Sequence, residues 1–223
     1  EFPGKIRASI LQAAIQGKLT EQLPEDGDVR DLLKEIQKEK ARLIKEGKIK
    51  KEKHLPEITE DEIPFDIPEN WAWCRLGTLV SIKTGSKDAN WGSPAGTYRF
   101  FTCAKETILS ETFSFEGKSI VMPGNGANVG ESWLIDEKFE AYQRTYVLQG
   151  TSDDVYLEYV RTVLSSDWKK RYSGGVYGSA IPYIRLGELT DYIFPLPPLS
   201  EQKRIVKKLD ELLPLCISLE TTS

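Results

Sequence analysis

The chain has 223 residues, of which 39% are hydrophobic and 29% are charged, and its formal net charge is −4 at pH 7. A chain of this length can bury one core, and its pI of about 5.3 excludes a uniformly basic nucleic-acid binder, whose domain pI usually exceeds roughly 9. The three cysteines lie far apart and the chain has one histidine, so we expect no metal site. The chain also lacks the roughly 18–20 consecutive apolar residues of a membrane span, and with so few cysteines we expect a cytoplasmic protein.

Residues 1–54 are predicted to form a helical region. Apolar residues at spacings of four and three predict an amphipathic helix that ends near Gly17: Ile6, Ile10 and Ala13. This spacing is typical of helices that pair with another helix, although the same residues could instead pack on the chain's own domain.

A second amphipathic helix is predicted over residues 29–48, with a solvated face of Lys, Glu and Arg. Ten basic and six acidic residues lie within 28–53, so this region is positive although the whole chain is negative. Residues 55–70 follow with three prolines and six acidic residues, a composition that indicates an extended acidic linker. Any affinity for nucleic acid must therefore come from a local patch.

Residues 71–198 change to short β-rich runs separated by Gly, Asn and Ser turns. The predicted strands are 79–83, 98–103, 119–122, 132–135, 145–148 and 191–194, and one helix is predicted over 154–172. Strands interrupted by one or two helices favour an α+β domain with a curved, mixed, mainly antiparallel sheet. Four tryptophans are interpreted as packing residues of the core and of the start of this domain: Trp71, Trp73, Trp133 and Trp168.

A long helix is predicted over residues 199–223. Three prolines end the preceding strand because they lack a backbone donor, and Ser200 is a suitable N-cap for the helix that follows. A four-three apolar seam again predicts helix pairing, and its first members are Ile205, Leu209 and Leu212. Pro214 falls inside this seam and should kink or end the helix.

No catalytic pattern is complete in the sequence. Gly117-Lys118-Ser119 imitates the end of a phosphate-binding loop, but Thr112 occupies the position of its first glycine and a strand is predicted to follow. The only histidine, His54, argues against a Ser-His-Asp triad. Since no glycine fingerprint for S-adenosylmethionine is present either, the sequence indicates a binding protein and not an enzyme.

Four polar loops carry side chains that suit DNA. Lysines and hydroxyls bind phosphate, Asn and Gln pair with adenine, and Arg pairs with guanine or clamps phosphate. The first three loops supply Lys83, Thr84, Ser86, Lys87 and Asn90, then Asn125 and Asn128, then Gln143 and Arg144. The fourth loop supplies Lys169, Lys170, Arg171, Tyr172, Ser173, Tyr177 and Ser179.

Each loop also has a purely structural interpretation. The Asn-Gly step at residues 125–126 is a typical turn signal that needs a positive φ. Gln143 or Arg144 could support the neighbouring glycine-rich loop from within. The lysines of the first loop could be solvated, and three adjacent basic residues at the end of a helix complement its dipole. The residues alone leave these alternatives open.

Three motifs in order resemble the specificity (S) subunit of type I restriction–modification systems. Residues 194–213, FPLPPLSEQKRIVKKLDELL, resemble the end of a target recognition domain and the start of a conserved spacer helix. Residues 5–19, KIRASILQAAIQGKL, resemble the last turns of the other spacer helix, and residues 63–76, IPFDIPENWAWCRL, resemble the start of a recognition domain. The motifs bracket nearly the whole chain.

The resemblance implies a domain that reads one half of a bipartite site in double-stranded DNA and performs no chemistry. It implies no cofactor on this chain, since S-adenosylmethionine and ATP would belong to the partner modification (M) and restriction (R) subunits. A second recognition domain, or a second copy paired through the terminal helices, would read the other half. Two alternatives stay open: a coiled-coil interaction module without DNA binding, and the recognition part of a type IIG-like fused restriction–methylation enzyme.

Overall fold

The computed structural model of the chain describes residues 2–50, 55–168 and 182–221. The helices in these ranges are α1 (Phe2–Ile15), α2 (Val29–Lys45), α3 (Leu76–Leu79), α4 (Leu157–Val163), α5 (Leu186–Thr190) and α6 (Leu199–Thr221). The strands are β1 (Ala72–Arg75), β2 (Val80–Thr84), β3 (Tyr98–Phe101), β4 (Ile108–Ser110), β5 (Phe115–Pro123), β6 (Trp133–Ala141), β7 (Thr145–Gly150) and β8 (Ile193–Leu196). None of the described helices is long and apolar enough to cross a membrane.

Six strands form one sheet in the order β2-β7-β5-β6-β3-β4, and β1 and β8 form a separate antiparallel pair. The pairing of β3 with β6 is parallel, whereas the other pairings are antiparallel. The sheet curls so far that a bridge joins Lys87, just beyond β2, to Tyr142 at the end of β6. The prediction of an α+β fold with a curved, mixed, mainly antiparallel sheet is therefore confirmed.

Both faces of this sheet are apolar. Ile120 and Met122 of β5 belong to a large buried cluster that the helices also enter, whereas Val121 belongs to a smaller cluster with Phe101 and Phe139. This alternation follows from the two-residue period of a strand. Each face of the sheet therefore has its own core.

The terminal helices pack on the domain and on each other. Ile205 and Leu209 of α6 are 0% and 3% exposed and lie in the same cluster as Ala14 and Ile15 of α1. The other residues predicted to pair helices are partly buried: Ile6, Ile10, Ala13 and Leu212. At least part of the predicted seam is thus used within one chain, and its pairing with a second domain stays a prediction.

Of the two outcomes expected at Pro214, an end of the helix is wrong, because α6 continues to Thr221 with Pro214 inside it, and a kink stays a prediction. Proline removes one backbone donor and crowds the carbonyl one turn earlier, which here belongs to Asp210. Pro214 and Asp210 are both exposed, so water can bind the carbonyl that proline leaves without a donor.

The boundaries differ from the predicted ones where backbone turns intervene. Helix α2 ends at Lys45 because Gly47 adopts a φ of 71° and turns the chain. The helix predicted over 154–172 begins at Leu157 and passes into a π-helical turn at 164–168, and its last predicted residues lie outside the described ranges. Strands β1 and β4 were not predicted from the sequence.

A buried carboxylate, Glu201 in the first turn of α6, joins three distant segments. It accepts hydrogen bonds from Trp71 Nε1 at 2.8 Å, Gln22 Nε2 at 2.8 Å and Thr20 Oγ1 at 3.0 Å. Glu201 and Trp71 are 0% and 1% exposed. The three donors and the positive end of the helix dipole replace the water that the carboxylate loses.

One turn later, a second contact fastens the same helix to the segment between α1 and α2. Arg204 donates from Nη1 to Asp26 Oδ1 at 2.6 Å and from Nη2 to the backbone oxygen of Glu21 at 3.0 Å. The hydrogen bond from Arg204 lowers the pKa of the Asp26 carboxyl. The start of α6 is therefore held at two successive turns.

The acidic segment 55–62 is anchored by a buried arginine. Arg75 donates to both carboxylate oxygens of Glu62 at 2.8 Å and to the backbone oxygens of Pro56, Glu57 and Asp191. The Arg75 side chain is 7% exposed. These bonds attach the segment predicted as a linker to β1, and they attach β1 to Asp191, two residues before β8.

Replacing Glu201 by Ala should lower the free energy of unfolding by roughly 2–4 kcal/mol, because the buried Trp71 N–H loses its acceptor and the contacts with Gln22 and Thr20 are lost with it. Glu211→Ala is the matched control, since Glu211 lies on the same helix with its side chain 53% exposed and 3.7 Å from Lys208. It should change stability by less than about 0.5 kcal/mol. Chemical denaturation of both variants measures the difference, and equal losses would contradict the assignment.

The pH dependence of stability should report the Glu62–Arg75 contact. The hydrogen bond from Arg75 lowers the pKa of the Glu62 carboxyl from 4.5 to about 2. A lowered pKa stabilises the folded state above the unfolded value, so this stabilisation is lost as the pH falls from about 4.5 toward 2. Denaturation at a series of pH values should show a steeper fall for the wild type than for Glu62→Gln. Glu60→Gln, in the same turn, should keep the wild-type slope, and parallel curves for all three chains would refute the contact's role.

Candidate nucleic-acid interface

Backbone hydrogen bonds bring three of the four predicted loops together at one end of the sheet. The Gln143 amide donates to the carbonyl of Lys87 at 2.9 Å, and the Gly124 amide donates to the carbonyl of Arg144 at 2.8 Å. The glycine-rich loop is held from a further side, since the Gly126 amide donates to the carbonyl of Pro182 at 2.9 Å. The first three sets of candidate residues therefore belong to one surface, which we call the loop face (residues 83–91, 102–107, 123–130 and 142–145).

Two glycines permit the close approach of these loops. A Cβ atom on Gly85 would lie 1.8 Å from the carbonyl oxygen of Ala141, and one on Gly124 would lie 2.4 Å from that of Arg144. No side chain fits at such distances, so glycine is required by backbone packing at both positions. Gly126 adopts a φ of 88°, which confirms the turn predicted from the Asn-Gly step.

Several predicted base-contacting residues are occupied within the loop face. The side-chain Nδ2 of Asn128 donates to the backbone carbonyl of Cys103 at 2.9 Å, and the side-chain Nε2 of Gln143 donates to Asp88 Oδ1 at 3.0 Å. Asn125 is partly buried and forms a backbone bridge with Tyr183. These contacts favour the supporting interpretation for Asn128 and Gln143, although Gln143 keeps an exposed side chain.

The basic residues of the loop face lack acidic partners. Lys83, Lys105 and Arg144 are exposed, and none of them makes an ion pair with another residue that the structure describes. Elsewhere on the sheet the cations are paired: Arg99 with Glu137 at 2.5 Å, and Lys118 with Glu158 at 2.7 Å. The positive charge that remains available on this side of the domain is therefore concentrated on the loop face.

An exposed indole accompanies this charge. Trp91 is 47% exposed, and the Lys87 ammonium lies 3.9 Å from the centre of its ring. Thr84, Ser86 and Asn90 are exposed in the same loop. A flat apolar ring next to lysines and hydroxyls can contact sugars or bases while the polar groups bind phosphate.

Sequence reasoning missed two residues of this surface. Trp91 was visible at the end of the first loop, and its position among lysines and hydroxyls was the available signal. Nothing in the sequence near Lys105 indicated a role in binding, because the parallel pairing of β3 with β6 is what brings its loop to the loop face. Of the predicted residues, Lys169, Lys170, Arg171, Tyr172, Ser173, Tyr177 and Ser179 lie outside the described ranges.

The described residues contain no cluster of three or more His, Cys, Asp or Glu side chains that could hold a metal ion. The Glu116 and Lys118 side chains, which imitate a nuclease pair in sequence, face Lys138 at 3.7 Å and Glu158 at 2.7 Å. They are surface ion pairs. The geometry of the loop face supports contacts with phosphates and bases.

Comparison with known proteins gives a consistent result. A family model described as the type I restriction modification DNA specificity domain matches residues 68–223. The EcoAI specificity subunit of the type I restriction enzyme of Escherichia coli is 31% identical over 238 residues, covering 96% of this chain and 40% of that protein. The EcoDI specificity subunit from Escherichia coli is 38% identical over 147 residues, covering 66% of this chain and 32% of that protein.

Solved structures share the fold at low sequence identity. The HsdS subunit from Thermoanaerobacter tengcongensis gives a TM-score of 0.55 at 19% identity, covering 100% of this chain and 53% of that one. The type I S subunit from M. genitalium gives 0.54 at 14% identity, covering 98% and 54%. The chain thus spans about two fifths of the EcoAI subunit and about half of the solved chains.

Replacing Gly85 by Ala should separate the loops, because the added methyl group overlaps the Ala141 carbonyl. We expect the Gln143 amide, bonded to Lys87, to lose protection from hydrogen exchange, and stability to fall by roughly 2–4 kcal/mol. Gly187→Ala is the control, since a Cβ there meets nothing within 4 Å. Unchanged exchange at Gln143 in Gly85→Ala would contradict the described packing.

Proposed function

Because the chain belongs to the family of type I restriction–modification DNA specificity subunits, we propose that it recognises one half of a bipartite sequence in double-stranded DNA. One target recognition domain, with the loop face as its DNA-contacting surface, corresponds to one half-site. The chain covers less than half of its matched relatives, so the role of a complete subunit is part of this proposal.

The observation that carries the proposal is the unpaired positive charge of the loop face. Lys83, Lys105 and Arg144 have no acidic partner among the described residues, although acidic residues outnumber basic ones in the chain by 34 to 30. Surface cations that are left unpaired in a net acidic protein are available to neutralise phosphates, and the release of counterions then drives binding. The exposed hydroxyls and Trp91 beside them can contact the bases.

The chain itself is proposed to be non-catalytic and to act in the cytoplasm. It would direct modification (M) subunits, which bind S-adenosylmethionine, and restriction (R) subunits, which use ATP, to the DNA site. The packed pair of α1 and α6 would hold a second recognition domain, or a second copy of this chain, at a fixed spacing along the duplex. Leu215 and Ile217 of α6, which are 59% and 55% exposed, are available for that contact.

Selection from randomised duplexes followed by gel-shift titration tests the proposal. We expect an enriched half-site sequence, and an affinity for it that exceeds the affinity for random duplex and falls steeply with salt. Enrichment of no sequence, or affinity that does not respond to salt, would refute DNA recognition by this chain.

Arg144→Gln should weaken binding to the selected duplex by roughly 10- to 100-fold, because it removes an unpaired cation from the centre of the loop face. Arg99→Gln is the matched control, since Arg99 is already paired with Glu137 at 2.5 Å, and it should change affinity by less than about threefold. Equal effects of the two substitutions, measured by the same titration, would remove Arg144 from the interface.

A further inference from the structure

A groove of about 940 Å³ runs beside the first strand of the sheet. One wall is residues 81–84 of β2, and the opposite wall is the turn after α2 together with α5 and residues 55 and 56. Lys83 and Thr84 line the groove and also begin the first loop of the loop face. The groove is therefore continuous with the proposed DNA-contacting surface.

Among the strands that the structure describes, β2 lies at the edge of the sheet. β2 is the first strand in the sheet order, with β7 on its other side. The Gly85 amide donates to the carbonyl of Thr145, and the Thr151 amide donates to the carbonyl of Leu79. In an antiparallel pair every second residue of a strand bonds to its neighbour, so residues 81 and 83 bond to β7. Ile82 and Thr84 then direct their N–H and C=O groups away from β7, toward the groove. Backbone N–H groups of this kind are common ligands of phosphate oxygens in DNA complexes.

Three lysines from two separate elements line the groove: Lys48, Lys50 and Lys83. Lysine on an exposed strand edge also prevents sheet-to-sheet aggregation, which is sufficient to explain Lys83 alone. It does not explain Lys48 and Lys50, which come from the opposite wall. Lys48 pairs with Glu46 at 2.8 Å, whereas within the described ranges neither Lys50 nor Lys83 has an acidic partner. Asp191 is the one carboxylate among the described lining residues.

The lysines of the opposite wall are held in place by the packing of α2. Ile36 is 1% exposed, and Leu32 and Leu33 pack against the large cluster. The turn at Gly47 is closed by the Lys48 amide, which donates to the carbonyl of Leu43 at 3.0 Å. The charge at residues 48–50 therefore has a fixed position relative to the loop face.

We propose that this groove is a second contact site on the same duplex, which binds the sugar–phosphate backbone of DNA that flanks the recognised bases. The proposal rests on the function proposed above. Charge selects an anionic occupant, and continuity with the loop face through Lys83 and Thr84 selects the duplex that the loops hold. The contact is independent of sequence, since phosphates are the same in every sequence.

The test combines protein variants with flank lengths. Lys50→Gln removes an unpaired charge of the groove, and Lys34→Gln is the control, because Lys34 lies on α2, the helix that precedes this wall, and pairs with Asp31 at 2.9 Å. Each protein is titrated against the selected duplex with long flanks and with either flank cut back to the edge of the site. Melting temperatures confirm that all variants are folded.

The groove variant should bind the long duplex roughly three- to tenfold more weakly, with a plot of log affinity against log salt that is shallower by about one unit. Specific and random duplexes should lose affinity by the same factor. Cutting back the flank on the groove side should weaken the wild type and leave the groove variant unchanged, while the control variant follows the wild type.

Other results overturn the proposal in distinguishable ways. A wild type that recognises its site with no dependence on either flank removes the groove contact and leaves the proposed function intact. A wild type that binds no duplex overturns both. If the groove variant keeps the wild-type salt dependence but no longer co-purifies with its modification subunit, the groove binds an acidic protein segment and the assignment to DNA is wrong.

Discussion

The position of the terminal helices depends on the burial of one negative charge. Glu201 is fully buried and accepts hydrogen bonds from Trp71, Gln22 and Thr20, which come from two separate stretches of the chain, residues 20–22 and the start of the domain at Trp71. A buried carboxylate is tolerated only where donors replace its hydration, so none of these segments can shift without exposing or orphaning the charge. The direction in which α1 and α6 leave the domain is thereby fixed with respect to the sheet and its loops.

The elements that were predictable from the sequence are those with a local signal. The apolar spacing of Ile205 and Leu209 predicts a helix and its buried side, and the Asn-Gly step predicts the positive φ of Gly126. Pairings between distant segments have no such signal. The union of β1 with β8 joins residues more than a hundred positions apart, and the parallel pairing of β3 with β6 creates a crossover. Both depend on the assembled core, as do the loop contacts that follow from them.

The candidate site shows the same division. Residue types marked the loops correctly as polar and adjacent to turns, but they could not separate the side chains that hold the loops from those that stay available. Asn128 and Gln143 have side-chain amides that could pair with adenine, but these amides donate hydrogen bonds to Cys103 and Asp88 within the protein. Arg144, their neighbour in sequence or space, remains unpaired among the described residues. The negative net charge of the chain argues against DNA binding for a related reason: it does not distinguish basic side chains that are paired with carboxylates from those that remain unpaired.

The loops of this face are joined largely by main-chain atoms. The amides of Gln143, Gly124, Gly126 and Ile184 donate to the carbonyls of Lys87, Arg144, Pro182 and Gly124. A bond between two backbones does not depend on which side chain its residue carries, and each face of the sheet has its own apolar cluster beneath. Exposed loop residues can therefore be exchanged during evolution with little effect on folding. Such a framework can acquire a new target sequence through few substitutions, because the residues that would read DNA are not the residues that hold the scaffold together.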